Sequence, residues 1–189
     1  GGGDDGLAVF NHPGREDQVH TSSPIGDSAY AWNGLAYRRD ADARMVGIEV
    51  FGKSGDVYDA DNNAPPGGWY AHALDTGWHL GPVGAEDEHG TRWAQPERAK
   101  TVLLAEGRSR ADLKNAMQAR RFYALAHNNN HVRLSFTADA KPMGSILGVP
   151  AGSDLNFSFS VAGVANPTVE IVGPGGNVVE RSTNSTGNF

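Results

Sequence analysis

Cysteine is absent from this sequence of 189 residues, and long apolar runs are absent as well. Without cysteine there can be no disulfide and no cysteine-ligated zinc, so any metal ion must be held by histidine and carboxylate side chains. The longest apolar runs, residues 45–51 and 101–105, are far shorter than the roughly 20 residues that a membrane-spanning helix needs. The sequence therefore predicts no membrane span.

Positive charge is also scarce: 16 Lys and Arg residues stand against 22 Asp and Glu residues, for a formal net charge of −6. A protein that coats nucleic acid needs a basic surface, so this balance argues against that class. It leaves room for a phosphate-binding site, since a metal ion can supply positive charge locally. With 39% hydrophobic and 20% charged residues, the composition is that of an ordinary globular protein.

Short apolar runs alternate with helix-like segments over about the first two thirds of the chain. The pattern predicts strands at residues 7–10, 45–51, 82–85 and 101–105. It predicts helices around residues 29–37 and 69–75, and a third from Ser109, with Asp112 completing a capping box, to about Tyr123. Repeated strand–helix–strand order indicates an α/β fold with a parallel sheet or barrel, whose functional side chains lie at the carboxyl ends of the strands.

The pattern changes after about residue 127. Apolar residues then alternate with polar ones, for example at Leu155, Phe157, Phe159 and Val161, and turns rich in Gly and Pro separate these runs. A period of two with such turns predicts a small antiparallel β segment. We therefore divide the chain into a first part, residues 1–137, and a β-rich appendage, residues 138–189.

Three side chains stand out as candidate metal ligands. His12 directly follows the first predicted strand, and Pro13 restricts the backbone after it. Asp87 and His89 follow the predicted strand at 82–85, and residues two apart in an extended segment point the same way. One carboxylate and one imidazole could thus converge on a cation, whereas Glu86 and Glu88 would point away from it.

At these positions the sequence resembles the polymerase-and-histidinol-phosphatase (PHP) superfamily of metallohydrolases. The closer resemblance is to its branch of carbaryl-hydrolase-like proteins and predicted phosphoesterases. The matching segments follow in the family's order and approximate spacing over about residues 7–180: residues 11–15 (Asn-His-Pro-Gly-Arg), 47–51 (Gly-Ile-Glu-Val-Phe), 74–78 (Leu-Asp-Thr-Gly-Trp), 84–90 (Gly-Ala-Glu-Asp-Glu-His-Gly), 100–101 (Lys-Thr), 111–123, and 142–144 (Pro-Met-Gly).

The resemblance implies the carboxyl-terminal part of a distorted (βα)7 barrel with a small antiparallel β segment after it. It implies a cluster of two or three divalent metals, Zn, Mn or Fe, with His12, Asp87 and His89 among the ligands. The family's earlier motifs, a His-x-His and a segment with Glu and His, have no counterpart here. A second chain or a missing amino-terminal segment would then complete the barrel.

The function that the resemblance implies is a metal-dependent hydrolase, with a phosphoesterase as the leading hypothesis and a small phosphate-containing ester as substrate. Arg15 could bind an anionic oxygen, and His89 would act in catalysis as well as in metal binding; Glu49, at the end of a strand, would serve shape more than metal. A carbamate or carboxylic ester hydrolase on the same centre, and a catalytically inactive binding module, remain alternatives. The branch also suggests an extracellular or periplasmic location.

Overall fold

A computed structural model describes residues 5–13, 34–52, 56–57 and 64–189, with the backbone alone at 56–57. Three helices lie wholly within these ranges: α1 (Arg39–Asp42), α2 (Gly68–Asp75) and α3 (Arg110–Gln118). The predicted helix at 29–37 falls mostly outside these ranges, and Arg15 lies outside them. In the part of the chain so described, none of the helices combines the length and the apolar character that crossing a membrane requires.

The first sheet contains the strands that carry the predicted ligands. Its strands are β1 (Ala8–Phe10), β2 (Met45–Gly52), β3 (Asp56–Val57) and β4 (Gly81–Gly84). Strands β1 and β4 both pair with β2 in parallel, while β3 pairs with its end antiparallel. Residues 46–50 of β2 are all buried, as expected of a central strand covered on both faces.

The core of this part lies between the sheet and α2. Ile48 of β2 packs with Phe10 of β1, with Trp69 and Ala73 of α2, and with Trp78 in the segment before β4. Trp78 is 4% exposed, and its indole N–H donates to the backbone oxygen of Leu35 at 2.7 Å. The short turn after α2 places Trp78 there, since the Trp78 amide donates to the oxygen of Ala73.

The expectation of a (βα)7 barrel is wrong. The described residues are 32% strand and 16% helix, with three helices and several small sheets. Strands β5 (Lys100–Leu103) and β6 (Phe122–Leu125) flank α3 but pair antiparallel. The Leu104 amide also donates to the oxygen of Arg121, so α3 lies in the loop of a β-hairpin and returns the chain to the end of the strand that it left. A parallel crossover needs the connection to return to the opposite end.

The third helix begins as the sequence predicts and ends earlier. Ser109 caps it, since the Ser109 hydroxyl accepts from the Asp112 amide while the Asp112 carboxylate accepts from Ser109 in return. The helix ends at Gln118, and Arg120 takes a left-handed conformation with a φ of 52°. The aromatic residues Phe122 and Tyr123, which the prediction placed in the helix, belong to β6 because they pair with β5 and are buried.

The remaining strands are antiparallel, in keeping with the period of two in the sequence. The strands are β7 (Arg133–Ala138), β8 (Lys141–Pro142), β9 (Phe157–Ala162), β10 (Val169–Val172), β11 (Val178–Ser182) and β12 (Thr186–Asn188). One sheet has the order β12–β9–β7–β8, and the other is the hairpin β10–β11. The predicted boundary between residues 137 and 138 falls inside β7, and the division into two domains stays a prediction.

The turn of the β10–β11 hairpin rests on α2. The Gly175 amide donates to the Asp75 carboxylate at 2.7 Å, at the end of the helix. At the other end, Gly67 and Gly176 pack backbone against backbone, so closely that a Cβ on Gly176 would lie 2.1 Å from the Cα of Gly67. The two glycines have positive φ values, 86° and 71°, and a residue without a side chain adopts such values at little cost.

Candidate metal centre

The parallel pairing brings the predicted ligands to one edge of the first sheet. Phe10 at the end of β1 lies beside Ile48, and Gly84 at the end of β4 lies beside Phe51. His12 follows β1 by two residues and Asp87 follows β4 by three. Because β1 and β4 both run parallel to β2, both residues lie at the same edge of the sheet.

The loop that carries Asp87 is anchored at its start by two neighbouring strands. The Ala85 amide donates to the Phe51 oxygen at 2.9 Å, which continues the pairing of β4 with β2. On the other side the Thr101 hydroxyl donates to the Gly84 oxygen and accepts from the Gly84 amide, at 2.9 and 3.1 Å. A side chain thus joins the end of β4 to β5, and a Cβ on Gly84 would collide with the backbone of Lys100.

Asp87 and His89 are the two predicted ligands that the structure brings together. The Nε2 atom of His89 lies 2.9 Å from the Oδ1 atom of Asp87. The Asp87 side chain is 31% exposed and that of His89 is 83% exposed, so solvent reaches both. The predicted extended backbone is wrong, since Asp87 has a left-handed φ of 46°. A turn, not strand alternation, makes the two side chains meet.

Glu86 and Glu88, which flank Asp87, bind the backbone of the same loop. A carboxylate oxygen of Glu86 accepts from the Ala94 amide at 3.0 Å, and one of Glu88 accepts from the Gly90 amide at 2.6 Å. The Trp93 indole N–H donates to the backbone oxygen of Glu88 at 3.1 Å. These bonds hold the loop in a closed shape around the Asp87–His89 pair.

Lys100 fixes the far end of this loop. Its ammonium donates to three backbone oxygens, those of Gln95, Pro96 and Arg98, at 2.7, 2.8 and 3.0 Å. An ammonium has three protons, and each has an acceptor here. Lys100 thus stabilises the backbone that leads back from the candidate site into β5, which is a role that no spacing rule in the sequence predicts.

His12 leaves β1 through a strained turn. Its φ is 36°, a left-handed value that a non-glycine residue keeps only where the surroundings fix it. Two contacts do so: the His12 amide donates to a carboxylate oxygen of Glu49 at 2.7 Å, and the next residue, Pro13, is fully buried. Glu49 is itself 3% exposed and is the one buried charged side chain among the described residues.

The structure does not join all three predicted ligands. His12 lies beyond β1 and the Asp87–His89 pair beyond β4, with β2 between them, and strands two apart are about 10 Å apart. In the described ranges no three His, Asp or Glu side chains form a group that could hold a metal ion. Arg15, predicted to bind an anion, lies outside the described residues. The metal and catalytic roles of these residues stay predictions.

The Asp87–His89 pair fits part of a metal centre. An imidazole nitrogen and a carboxylate oxygen are ligands that Zn, Mn and Fe accept. Two such atoms bound to one tetrahedral zinc at about 2.1 Å would lie about 3.4 Å apart, so the observed pair would need to open by roughly 0.5 Å. The exposed loop position allows such a movement. Further ligands would have to come from outside this pair.

His79 lies at the opposite edge of the first sheet, just before β4. Its Nδ1 atom lies 2.8 Å from a carboxylate oxygen of Asp42, and its amide donates to the other oxygen at 3.1 Å. Burial by itself raises the pKa of Asp42, but these two hydrogen bonds from His79 hold the pKa below its usual range. Arg120 donates to the backbone oxygens of both residues, so the cluster joins α1, β4 and α3.

Three residues around the site, Glu49, Thr101 and Lys100, have contacts that sequence reasoning missed. A carboxylate inside the run Met45–Gly52 was the one available signal, because an ionisable residue is unexpected in a strand buried on both faces.

Comparison with protein-family models finds no match, and comparisons with curated proteins and with solved structures find no significant match.

Proposed function

We propose that this chain belongs to a metal-dependent hydrolase, with a phosphoesterase as the leading form, in which Asp87 and His89 bind a divalent metal. The observation that supports the proposal is the 2.9 Å contact between His89 Nε2 and Asp87 Oδ1, at the edge of the first sheet where the parallel strands β1 and β4 end. The resemblance of the surrounding segments to the PHP superfamily supports the same chemistry.

Four residues of the loop after β4, namely Glu86, Asp87, Glu88 and His89, have a part in this proposal. A bound divalent ion would lower the pKa of its water to about 7 and so supply hydroxide at neutral pH. Asp87 Oδ1 and His89 Nε2, which lie 2.9 Å apart, would move apart slightly so that both bind the ion, and Glu86 and Glu88 keep the loop closed through the Ala94 and Gly90 amides. Arg15 would bind an anionic oxygen of a phosphate ester, and an aromatic pocket would instead favour a carbamate or carboxylic ester.

The substitution His89→Ala tests the proposal. We expect it to lower hydrolysis of 4-nitrophenyl phosphate at least about 100-fold, since even residues that merely orient metal ligands contribute 10–100-fold. 4-Nitrophenyl acetate and an aryl carbamate, assayed in parallel, tell the ester and carbamate alternatives from the phosphoesterase. The matched control is His131→Ala, which removes an exposed imidazole from the turn before β7 and should leave the rate unchanged.

Equal rates for wild type and His89→Ala on all three substrates would contradict the proposal and favour the alternative, a catalytically inactive binding module. One observation speaks for that alternative. A cavity of about 500 Å³ opens beside strands β6, β7 and β9, and its lining includes Phe122, Phe136 and Phe159. An apolar concavity of this size is within the range of small-molecule sites.

A further inference from the structure

Glu49 has an unusual position for a carboxylate. It lies in the middle of the central strand β2, beside Val83 of β4, and is 3% exposed. Burial of a carboxylate costs several kcal/mol unless hydrogen bonds and charges offset it, and an apolar residue in a central strand carries no such cost. A buried Glu in this run therefore indicates a task that an apolar side chain does not perform.

The contact that defines this task is the bond to His12. A carboxylate oxygen of Glu49 accepts the His12 amide at 2.7 Å, a distance typical of a hydrogen bond strengthened by charge. The two residues are 37 positions apart in sequence, so the bond joins the turn after β1 to the neighbouring strand. It acts on a residue whose φ of 36° needs external support.

We propose that Glu49 is a positioning residue for the candidate site: its carboxylate holds the His12 backbone in the left-handed turn and so fixes where the His12 imidazole leaves the sheet edge. Glu49 acts through the backbone of His12 and is not itself a ligand. The part of this inference that concerns metal rests on the proposed function and requires in addition that His12 supply one of the further ligands. The part that concerns the turn rests on the hydrogen bond alone.

Two variants of nearly equal side-chain length separate the possible roles. Glu49→Gln keeps an oxygen that can accept from the His12 amide but removes the charge. Glu49→Met keeps the length and the packing but removes the acceptor. The control is Glu170→Met, the same substitution on the β appendage, where Glu170 pairs with Arg181.

The first readout is hydrogen exchange of the His12 amide, measured by NMR. In wild type we expect this amide to be protected and its proton to resonate at low field. We expect exchange to remain slow in Glu49→Gln and Glu170→Met and to rise at least about tenfold in Glu49→Met, as loss of a hydrogen bond to a charged acceptor implies. A wild-type amide that exchanges at the rate of an unstructured chain would overturn the proposal even if the Met variant failed to fold.

The second readout is the affinity for Mn²⁺ and Zn²⁺, titrated separately. Positioning predicts affinity within about threefold of wild type for Glu49→Gln and a loss of at least about tenfold for Glu49→Met. Equal losses in both variants would make the charge itself essential and overturn the positioning role. If the His12 amide exchanges faster in Glu49→Met but the metal affinity is unchanged, the role of Glu49 in the turn is supported and its role in metal binding is overturned. The proposed function is tested by a different variant. If metal binding persists after Asp87 and His89 are both replaced, the proposed function fails, whatever the result for Glu49.

Discussion

Replacing Trp78 with alanine should lower the free energy of unfolding by about 3–5 kcal/mol, the range for removing a large aromatic side chain from a core. The Trp78 ring lies edge-on to Phe10 and Tyr37, with centroid distances of 5.2 and 5.3 Å. Its N–H is one of two side-chain donors to the Leu35 oxygen, and the other is the Thr76 hydroxyl. The substitution would thus remove packing around α2 and β1. Because Trp78 is only 4% exposed, it would leave a buried cavity.

Trp93→Ala is the matched control, because Trp93 is 67% exposed. Urea unfolding of both variants gives the comparison, and we expect the control to change the unfolding free energy by less than about 1 kcal/mol. Similar losses in the two variants, or a smaller loss for Trp78→Ala, would mean that the core does not lie between α2 and the first sheet.

Replacing Gly176 with alanine should lower the unfolding free energy by about 2–5 kcal/mol, as the sum of two costs. A non-glycine residue at a φ of 71° costs about 1–2 kcal/mol. Collision of the new Cβ with Gly67 adds about 1–3 kcal/mol, the usual cost of overpacking. The atoms that it would meet are backbone atoms, which cannot turn aside as a side chain can.

Gly152→Ala separates these costs, because Gly152 has a φ of 83° with no atom within 4 Å of an added Cβ. It should show the conformational cost alone. The Gly175 amide donates a hydrogen bond to the Asp75 carboxylate. Its hydrogen exchange should accelerate in Gly176→Ala and stay unchanged in Gly152→Ala. If both variants lose the same stability and both keep the Gly175 amide protected, the hairpin does not rest on α2.

Local signals in the sequence predict single elements well here. The run of β-forming residues at 45–51 becomes β2, and the Ser109–Asp112 capping box starts α3. Each of these depends on interactions within a few residues. The end of α3 was missed because the pairing of Phe122 with Leu103 across the hairpin, a contact between distant residues, overrides the helical continuation.

The fold class was wrong for a related reason. Strand–helix–strand order is the same for a parallel crossover and for a hairpin with a helix in its loop, and only the direction in which the chain returns tells them apart. That direction is set by contacts such as the bond from the Leu104 amide to the Arg121 oxygen. A resemblance in motifs carries the positions of residues along the chain but not these contacts.

Of the candidate site, the sequence predicted which strands precede the ligands but not the geometry of the loops. The meeting of Asp87 with His89 depends on the left-handed turn at Asp87, which no residue pattern announced. Two residues support the site through hydrogen bonds between distant parts of the sequence. Thr101 of β5 bonds the end of β4 across 17 positions, and Glu49 bonds the His12 turn across 37. Contacts across such distances become visible only when the chain is folded.

The central claim, that Asp87 and His89 bind a divalent metal, is tested most directly by the metal content of the purified, undialysed protein. Inductively coupled plasma mass spectrometry would compare wild type with the double variant Asp87→Asn/His89→Ala. We predict at least one equivalent of Zn, Mn or Fe in wild type and its loss in a double variant that remains folded. Wild-type protein without transition metal, or a double variant that retains the same amount, would contradict the claim.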